Sequence, residues 1–378
     1  MRVLHFLDSL NRGGAEMQAL DVCRNGARAG LDITMVAAGG GALEPEFVSS
    51  GVEFIKLQRK FPVDIYLASQ LRRIMKEREI EIAHGYQAVD GIHLFLASRG
   101  VRGVRRVLSF QGFIQDKKNR IASRFLIPRM DANIAVSRGL MKWLSEVDGF
   151  DTSKNFTVIY NGADPERLRS SGRSIRRELG IGSTAPLFGM IANFYRDRRK
   201  DQFTVCRALP SVFAAVPGAH CIFAGGIEDG AEEKMADCLN FCLDNGLTDR
   251  VHFVGARSDV PDILAELDVF VLSSFYEGLP IAVSEAMLAG VPMVVSDIAP
   301  LAEATASGEF AEVFPVQDAD ALASKLIGLL ADKDRRIALA QLARDFAVEN
   351  FSIDAHLRDL VKLYTGLLGH KDADGRPH

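Results

Sequence analysis

The chain has 378 residues, of which 48% are hydrophobic and 25% are charged, and it carries a formal net charge of −4 at pH 7. This length allows two domains with separate cores, and the slightly acidic balance argues against general nucleic-acid binding. Five cysteines without a Cys-x-x-Cys pair predict buried thiols, and the lack of a long apolar run predicts a cytoplasmic protein without a membrane span.

In the first half, short apolar runs alternate with longer amphipathic stretches. The apolar runs predict strands at residues 3–7, 33–38, 53–57, 80–84, 105–110, 133–136 and 157–160. Helical periodicity is found between them at residues 15–29, 65–79 and 138–146. Strands that are apolar throughout and separated by helices indicate a parallel sheet covered on both faces.

The second half repeats this alternation. It predicts strands at residues 187–192, 220–225, 251–255, 269–273 and 292–296, and helices at 203–215, 232–245 and 282–289. Three further helices are predicted at residues 318–331, 334–349 and 353–368. This pattern predicts a second parallel sheet. Ligands of such sheets bind at the carboxyl ends of the strands, which here are expected to face a cleft between two domains.

Composition places the domain boundaries. Residues 161–185 are rich in Gly, Ser and Arg and have no strand pattern, which is typical of an interdomain connection. We therefore expect an N-terminal domain at 1–165, a C-terminal domain at 166–350, a helix at 351–368 that packs back toward the N-terminal domain, and a disordered tail at 369–378.

The segment at residues 273–297 holds the strongest indication of chemistry. An apolar strand is followed by a short loop and by a helix whose first turn accommodates Pro280, and Gly290 suits its carboxyl end. The unpaired N–H groups that begin at Gly278 and Leu279, together with the helix dipole, form a cradle for a diphosphate.

Two carboxylates bracket this cradle, because Glu277 lies in the loop and Glu285 on the second turn of the helix. A carboxylate accepts two hydrogen bonds and suits adjacent hydroxyls of a ribose or a hexose. Alternatively, Glu277 is an ordinary loop acid and Glu285 an ordinary surface residue. For Glu285 that alternative is weak, because apolar neighbours describe a mostly buried helix, in which an acid needs a partner.

The string EGLPIAVSEAMLAGVPMVVSD, which contains both carboxylates, resembles the E-x7-E region of glycosyltransferase family 4, the group 1 glycosyltransferases. The family has the GT-B fold, an α/β fold of two Rossmann-like domains whose parallel sheets face a central cleft. In the family the first Glu approaches the donor sugar and the second binds the ribose hydroxyls. The resemblance gives these roles to Glu277 and Glu285.

Other stretches are similar to landmarks of the same family, so that the resemblance covers residues 3–368. The NRGGAE string resembles the family's GGAE loop, in which Gly13 and Gly14 let backbone N–H groups approach a phosphate or sugar closely. Alone, a Gly-Gly turn is more often simple turn chemistry. Residues 135–137 and 158–164 resemble two further landmarks.

After the first strand of the second domain, the family usually carries an Arg and then Lys-Gly or Lys-Asp, and both cations neutralise the donor diphosphate. Lys200 matches the second element, while Asn193 stands at the usual Arg position. Arg196, assigned to catalysis with Glu277 and Lys200, or Arg198, assigned to donor binding, could supply the missing cation. Each arginine could instead belong to a solvated basic loop.

Many relatives carry a His near the sixth carbon of the donor sugar, where this chain has Gln111. Gln keeps the hydrogen-bonding ability and loses the titratable group. In the front-face mechanism proposed for such retaining enzymes, the leaving diphosphate oxygen takes the acceptor's proton, so the change is compatible with transfer. His84 could substitute for the missing His, or it is a structural histidine at the end of a buried strand.

Neither a metal nor another cofactor is expected beside the nucleotide-sugar donor. The DAD strings at 318–320 and 372–374 look like the metal-binding D-x-D of another glycosyltransferase fold. The first opens a helix, where a capping Asp is expected, and the second lies in the tail. Stabilisation of the departing diphosphate is therefore assigned to Lys200, a nearby Arg and the amino end of the helix.

From Arg99 to Arg129 the chain carries nine Lys or Arg residues and one acid, Asp116, interleaved with apolar side chains. In the expected acceptor domain, such a stretch suits an anionic membrane surface and a lipid-linked acceptor. This interpretation predicts a peripheral protein at the inner face of the cytoplasmic membrane. The alternative is a solvated charged face over ordinary core residues.

The resemblance implies a retaining, metal-independent glycosyltransferase of the hexosyltransferase class. It would move a sugar from a UDP-, GDP- or ADP-sugar to a glycan or lipid-linked acceptor in cell-surface polysaccharide or glycolipid synthesis. Gln111 and Asn193 leave open a nucleotide-sugar-binding protein without transferase activity, although Glu277, Glu285 and Lys200 argue against it. Another GT-B enzyme such as an epimerase is a further alternative, but E-x7-E together with GGAE favours transfer. A dinucleotide-dependent oxidoreductase is disfavoured, because neither half has a G-x-G-x-x-G fingerprint.

Overall fold

The computed structural model describes residues 1–114 and 116–369, and the chain forms two compact units. The first unit contains Met1–Gly162 and the segment that begins at Ile353, and the second contains Ala163–Ser352. The chain therefore leaves the first unit once and returns to it for its last helix.

The first unit is built on a seven-stranded sheet. Its strands are β1 (Arg2–Leu7), β2 (Asp32–Ala37), β3 (Glu53–Lys56), β4 (Ile82–Gly85), β5 (Arg105–Phe110), β6 (Ala132–Ala135) and β7 (Phe156–Val158). All neighbouring strands are parallel, in the order β3-β2-β1-β4-β5-β6-β7. The predicted parallel sheet is confirmed, and its strand order reverses at β1 and β4, where doubly wound sheets bind ligands.

The helices of the first unit follow the strands along the chain. They are α1 (Gly14–Asn25), α2 (Glu44–Val48), α3 (Ile65–Glu77), α4 (Ala88–Ser98), α5 (Lys117–Leu126), α6 (Arg138–Glu146) and, after the second unit, α15 (Ile353–Leu368). Asp64, Asp116 and Ser137 accept backbone N–H groups at the starts of α3, α5 and α6. These caps fix where the three helices begin.

Helix α15 completes the core of the first unit. Leu357, Leu360 and Tyr364 recur at helical spacing along one face and are buried. They belong to the same apolar cluster as Val3 and Leu7 of β1. The last described helix thus packs with the first strand.

The second unit has a six-stranded sheet. Its strands are β8 (Leu187–Ile191), β9 (His220–Ala224), β10 (Val251–Gly255), β11 (Val269–Leu272), β12 (Met293–Ser296) and β13 (Glu312–Phe314). All neighbouring strands are again parallel, in the order β10-β9-β8-β11-β12-β13. The second predicted parallel sheet is confirmed, and its order reverses at β8 and β11.

The helices of the second unit complete its layers. They are α7 (Ile175–Glu178), α8 (Gln202–Ala215), α9 (Glu232–Asp244), α10 (Val260–Glu266), α11 (Ile281–Leu288), α12 (Ala299–Ala304), α13 (Ala319–Ala331) and α14 (Lys333–Asn350). Asp318 caps α13 by accepting the N–H of Ala321 at 2.9 Å, as the sequence predicts for the DAD string at 318–320. The other DAD string, at 372–374, and all of the predicted tail except residue 369 lie outside the described residues, which end at 369.

Several elements were not predicted. Strand β13 has only three residues and lies at the edge of its sheet, so it offers no alternating pattern to detect. Helix α4 is rich in apolar residues over most of its surface and packs between α3 and α5, which removes the amphipathic signal.

The structure also bears on membrane insertion and on the thiols. Within residues 1–114 and 116–369, no helix combines the length and the apolar character needed to cross a membrane. All five cysteines are buried thiols.

Candidate functional site

The loop after β11 and the helix α11 form the backbone of the candidate site in the second unit. Pro280 directly precedes α11 in an extended conformation, with φ −70° and ψ 124°, which suits the residue before a helix. Gly278 and Leu279 are buried at this amino end. Gly290 follows the helix with a positive φ of 71°, so the predicted role of a glycine at the carboxyl end is confirmed.

Glu277 is held at this amino end by two side chains. The Ser274 hydroxyl donates a hydrogen bond of 2.7 Å to Glu277 Oε1, and Lys200 Nζ forms an ion pair with the same oxygen. The side chains of Lys200 and Glu277 are each only 9% exposed. The structure therefore brings together two charged residues that the sequence singled out separately.

The backbone explains why Lys200 reaches Glu277. Lys200 and Ser274 form an antiparallel bridge between the loops that follow β8 and β11. The N–H of Asp201 donates to Ser273 O and the N–H of Phe275 donates to Arg199 O, each at 3.0 Å. Because a buried ion pair costs desolvation energy, such a pair beside a helix amino end marks a candidate functional site.

Glu285 lies one helical turn into α11 and is 7% exposed. Arg167 Nη2 contacts Glu285 Oε1 at 2.8 Å, and the two side chains are 15% and 10% exposed. The prediction that a buried Glu285 needs a partner is confirmed. Sequence reasoning did not identify Arg167, which lies far away along the chain in the predicted interdomain connection.

Asn193, which stands at the usual position of a family Arg, has a structural contact. Its side-chain Oδ1 accepts a hydrogen bond of 2.8 Å from Gly226 N, and its carbonyl accepts one of 3.0 Å from Gln202 Nε2. Gly225 lies so close to the backbone of Ala192 that a Cβ there would collide with it. Asn193 therefore fastens the end of β9 to the end of β8.

The arginines of the loop at residues 195–199 face different partners. Arg199 binds Asp197 through two nitrogens, at 2.6 to 3.0 Å. Arg196 is exposed, and its side chain lies beside Gly230. If Gly230 had a Cβ, that atom would be 3.1 Å from Arg196 Cδ. Arg198 is also exposed, and its guanidinium lies 5.2 Å from the ring of Phe275, in the loop that carries Glu277.

In the first unit, Gly13 and Gly14 lie at the start of α1. Gly13 is the residue before the helix, and a Cβ there would lie 2.6 Å from Glu16 Oε2. Glu16 also accepts a hydrogen bond of 3.2 Å from the Ser9 hydroxyl. Burial raises the pKa of the Glu16 carboxyl above its ordinary value. Gly13 thus leaves room for a buried acid near the carboxyl end of β1, whereas a Cβ at Gly14 would meet no other atom within 4 Å.

Gln111 follows β5 and is partly buried. Its Oε1 accepts a hydrogen bond of 2.9 Å from Asn161 Nδ2. Gly162, which follows Asn161, donates its N–H to Gln18 Oε1 at 2.7 Å. Gln111 therefore belongs to the contacts that hold the last part of the first unit before the chain leaves it.

His84 lies inside the core of the first unit. Its Nδ1 is 2.6 Å from the Tyr364 hydroxyl and its Nε2 is 2.7 Å from the Ser109 hydroxyl. Burial lowers its pKa well below the ordinary value. With 1% exposure and both ring nitrogens occupied, His84 has the environment of a structural histidine, and we do not carry it into the proposed site.

Part of the basic stretch forms an exposed surface on α5. This α5 surface consists of Lys117, Lys118, Arg120, Ile121, Arg124 and Phe125. Ile121 is 62% and Phe125 40% exposed. Arg120 pairs with the buried Asp148 at 3.0 Å, and Arg124 donates to the Asp148 carbonyl at 3.0 Å. Among the described residues, neither Lys117 nor Lys118 has an acidic partner within ion-pair distance.

Two family models match the chain. The model for glycosyl transferases group 1 matches residues 185–332, and the model for Glycosyltransferase Family 4 matches residues 12–167. The first match contains β8 to β13 with Lys200, Glu277 and Glu285. The second contains the glycines before α1 and the Gln111 region.

Characterised relatives cover most of the chain. It is 27% identical to the lipopolysaccharide core biosynthesis mannosyltransferase LpsB of Rhizobium meliloti over 65% of this chain and 68% of that protein. It is 25% identical to the UDP-Gal:alpha-D-GlcNAc-diphosphoundecaprenol alpha-1,3-galactosyltransferase of Escherichia coli over 80% and 79% of the two chains. It is also 25% identical to the N-acetyl-alpha-D-glucosaminyl L-malate synthase of Bacillus anthracis over 83% and 82%.

Solved structures share the fold. The crystal structure of Anabaena HepE in complex with UDP-glucose matches with a TM-score of 0.85 and 19% identity over 97% of this chain and 99% of that chain. The structure of WaaG, a glycosyltransferase involved in lipopolysaccharide biosynthesis, matches with a TM-score of 0.71 and 16% identity over 96% and 100%.

Proposed function

The chain belongs to glycosyltransferase family 4, and from this premise we propose a retaining, metal-independent transferase that uses a UDP-, GDP- or ADP-sugar as its donor. The acceptor we propose is a glycan or a lipid-linked sugar in cell-surface polysaccharide or glycolipid synthesis. The relatives named for lipopolysaccharide core synthesis and for a diphosphoundecaprenol acceptor support this class. The observation that carries the proposal is the buried Lys200–Glu277 ion pair beside the amino end of α11.

We assign the donor diphosphate to this amino end. Backbone N–H groups from Gly278 to the first turn of α11 and the ammonium of Lys200 supply positive charge where the leaving group gains negative charge. Of the two arginines considered, Arg198 is the stronger choice for the second cation, because it lies against the loop that carries Glu277 while Arg196 lies against Gly230.

The two carboxylates divide the rest of the donor between them. We assign Glu277 to the hydroxyls of the transferring sugar, since it shares a loop with the diphosphate cradle. We assign Glu285 to the ribose hydroxyls, one turn along α11. Charge-assisted hydrogen bonds from hydroxyls to carboxylates are about twice as strong as neutral ones.

On the acceptor side we place Gly13, Gly14 and Gln111. Gly13 and Gly14 lie at the start of α1, after the carboxyl end of β1, and Gln111 offers an amide near the end of β5. In the front-face mechanism that we propose, the leaving diphosphate oxygen takes the acceptor's proton. The lack of a titratable group at Gln111 therefore does not block transfer. The anomeric configuration of the donor is then kept in the product.

The experiment that tests the proposal has two stages. UDP-, GDP- and ADP-sugars are first screened for a rise in the melting temperature, and the sugar that binds is then incubated with lipid-linked acceptors. NMR of the product is expected to show a new glycosidic bond with the donor configuration retained. A bound donor without transfer would favour a nucleotide-sugar-binding protein, and an epimerised free donor would favour an epimerase.

We also propose that the α5 surface attaches the enzyme to the inner face of the cytoplasmic membrane. Lys117 and Lys118 would interact with anionic lipid, and the exposed side chains of Ile121 and Phe125 would enter the interface. Arg120 and Arg124 are less suitable to test this, because both hold Asp148.

Vesicle sedimentation tests the attachment. The protein is expected to pellet with anionic vesicles at low salt and less at high salt, since each basic side chain near such a surface contributes about 1 kcal/mol. Lys117→Gln with Lys118→Gln should release it. Lys154→Gln with Lys333→Gln removes two exposed lysines outside the α5 surface and should not. Equal pelleting of both double variants would favour a solvated face.

A further inference from the structure

The contact between Arg167 and Glu285 joins two parts of the second unit that are remote in the sequence. The guanidinium nitrogen Nη2 lies 2.8 Å from Glu285 Oε1. Both side chains are largely removed from solvent, at 15% and 10% exposure. A pair this sheltered is screened little by salt and keeps a fixed geometry better than a surface pair.

The backbone that carries Arg167 is fastened on both sides. Before it, Ala163 N donates to Phe351 O at 2.9 Å. Asp164 Oδ1 then accepts the N–H of Glu166 at 2.9 Å, and the Arg167 N–H donates to Asp164 O at 3.1 Å. One long-range bond and two local bonds therefore hold the backbone from Ala163 to Arg167 in a turn, from which the Arg167 side chain extends to Glu285.

Beyond the turn, the chain is tied to α10. The hydroxyls of Ser170 and Ser171 donate to the Asp262 carboxylate at 2.6 and 2.8 Å, and the N–H of Ser171 donates to it at 2.6 Å. These bonds lower the pKa of Asp262 below its ordinary value and keep it an acceptor. Arg167 thus extends from a segment anchored at both ends.

The chemistry of Glu285 explains what such an anchor can do. A carboxylate offers about four lone-pair directions on two oxygens, and two adjacent ribose hydroxyls need two of them in one plane. A guanidinium bound to Oε1 restricts the rotation of the carboxylate and so sets its plane.

We propose that Arg167 is a positioning residue that holds Glu285 in the orientation required to recognise the 2′ and 3′ hydroxyls of the donor ribose. This inference rests on the assignment of Glu285 to the ribose in the proposed function. It adds a specificity device from outside the E-x7-E segment, in the first residues of the second unit.

Calorimetric titration with nucleoside diphosphates and their 2′,3′-dideoxy forms tests the inference. UDP, GDP and ADP are each compared with the matching dideoxy nucleotide. The wild-type protein is expected to bind the ribonucleotide about 10-fold more tightly or better, the ratio that one hydrogen bond to a charged group supplies. Arg167→Met should reduce this ratio to about one without changing the dideoxy affinity, and Arg167→Lys should retain part of it.

Two further variants separate positioning from general stability. Arg169→Gln changes an exposed arginine two residues away that binds only Glu166 among the described residues, and its ratio should equal that of the wild type. Arg167→Met with Glu285→Gln leaves no buried unpaired charge, so it should fold even if Arg167→Met does not. In this double variant the ratio should be that of Glu285→Gln alone.

Each remaining outcome contradicts the inference in a distinguishable way. A parallel loss of affinity for both nucleotide forms in Arg167→Met would give Arg167 a purely structural role. If the wild-type protein binds the ribonucleotide and the dideoxy nucleotide equally well, the site does not recognise the ribose hydroxyls and the inference is wrong. The proposed donor site would not be contradicted by that result. If no nucleoside diphosphate binds the wild type, the proposed function itself is wrong.

Discussion

Each unit holds a buried polar cluster near the two strands where its sheet order reverses, and the two clusters differ in charge. In the second unit, at β8 and β11, the charged cluster consists of Lys200, Ser274 and Glu277, in the loops beyond the strand ends. In the first unit, at β1 and β4, the neutral cluster consists of His5, His84, Tyr86, Ser109 and Tyr364.

The difference shows how one topological position can serve two purposes. Hydrogen bonds join the side chains of the neutral cluster, although His5 Nε2 has no partner among the described residues. Burial lowers the pKa of both its histidines, so that they stay uncharged. The charged cluster keeps two full charges where water is scarce, which costs stability unless a ligand uses them. Recognition is therefore expected from side chains beyond the strand ends, and stability from those within the sheet.

The largest expected effect is on the charged cluster. Glu277→Gln should lower turnover roughly 100- to 1000-fold, the range found when one group that stabilises a transition state is removed. Nucleoside diphosphate affinity should change much less, because the proposed contact is to the sugar. Steady-state kinetics and calorimetry give the two numbers, and Glu309→Gln, an exposed acid of the same unit, is the control. Equal losses in turnover and in affinity would contradict the assignment.

The neutral cluster should show its effect in stability at low pH. Burial lowers the pKa of His5 from 6.5 to about 3. Between these values the unfolded chain binds a proton that the folded chain does not, so the free energy of unfolding decreases as the pH falls below 6.5. At pH 5 this loss is about 2 kcal/mol for His5 alone.

Urea unfolding of the intact chain at pH 7.5 and pH 5 measures this loss, and the lowered pKa values of His84 and His356 act in the same direction. His5→Gln should flatten the pH dependence. An unchanged slope in that variant would show that His5 titrates normally in the folded protein.

A smaller effect is expected when one bond of the neutral cluster is removed. Tyr364→Phe deletes the hydroxyl that lies 2.6 Å from His84 Nδ1. The free energy of unfolding should decrease by about 1 kcal/mol, while turnover per folded molecule stays the same. Tyr66→Phe, at a tyrosine that is 69% exposed, should change neither quantity. A loss of turnover in Tyr364→Phe without loss of stability would give this cluster a functional role.

The smallest expected effect is that of chelation. The groups proposed to stabilise the diphosphate are the side chains of Lys200 and Arg198 and the backbone N–H groups at the amino end of α11. Turnover should therefore be the same with and without EDTA. Loss of activity that magnesium or manganese restores would replace the charged cluster by a metal as the main stabilising group.

The sequence predicted the local part of the candidate site. Pro280 and Gly290 mark the two ends of α11 through their own backbone preferences, so the helix and its amino end could be located without tertiary information. Lys200 and Glu277 could be named one by one, because each matches a motif. Their pairing depends on the bridge between two loops far apart in the chain, and no local pattern encodes that contact.

Other parts of the site depended on tertiary contacts alone. Arg167 lies in a Gly-, Ser- and Arg-rich segment in which any arginine looks solvated, and its contact with Glu285 distinguishes it. The role of His84 could not be decided, since Tyr364 joins it from α15, at the far end of the chain. Strand β13 was too short to detect, and its Glu312, whose side chain is 11% exposed, pairs with Lys325 and Arg335.

The return of the chain to the first unit has a consequence for biosynthesis. The ribosome makes the strands of the first unit early, but α15 emerges only after the whole second unit, roughly 10 to 40 seconds later at ordinary translation rates. During that interval the site for Leu360 and Tyr364 remains exposed to chaperones and proteases. The second unit, whose chain is continuous, can fold in the meantime. The unit whose synthesis starts first is therefore completed last.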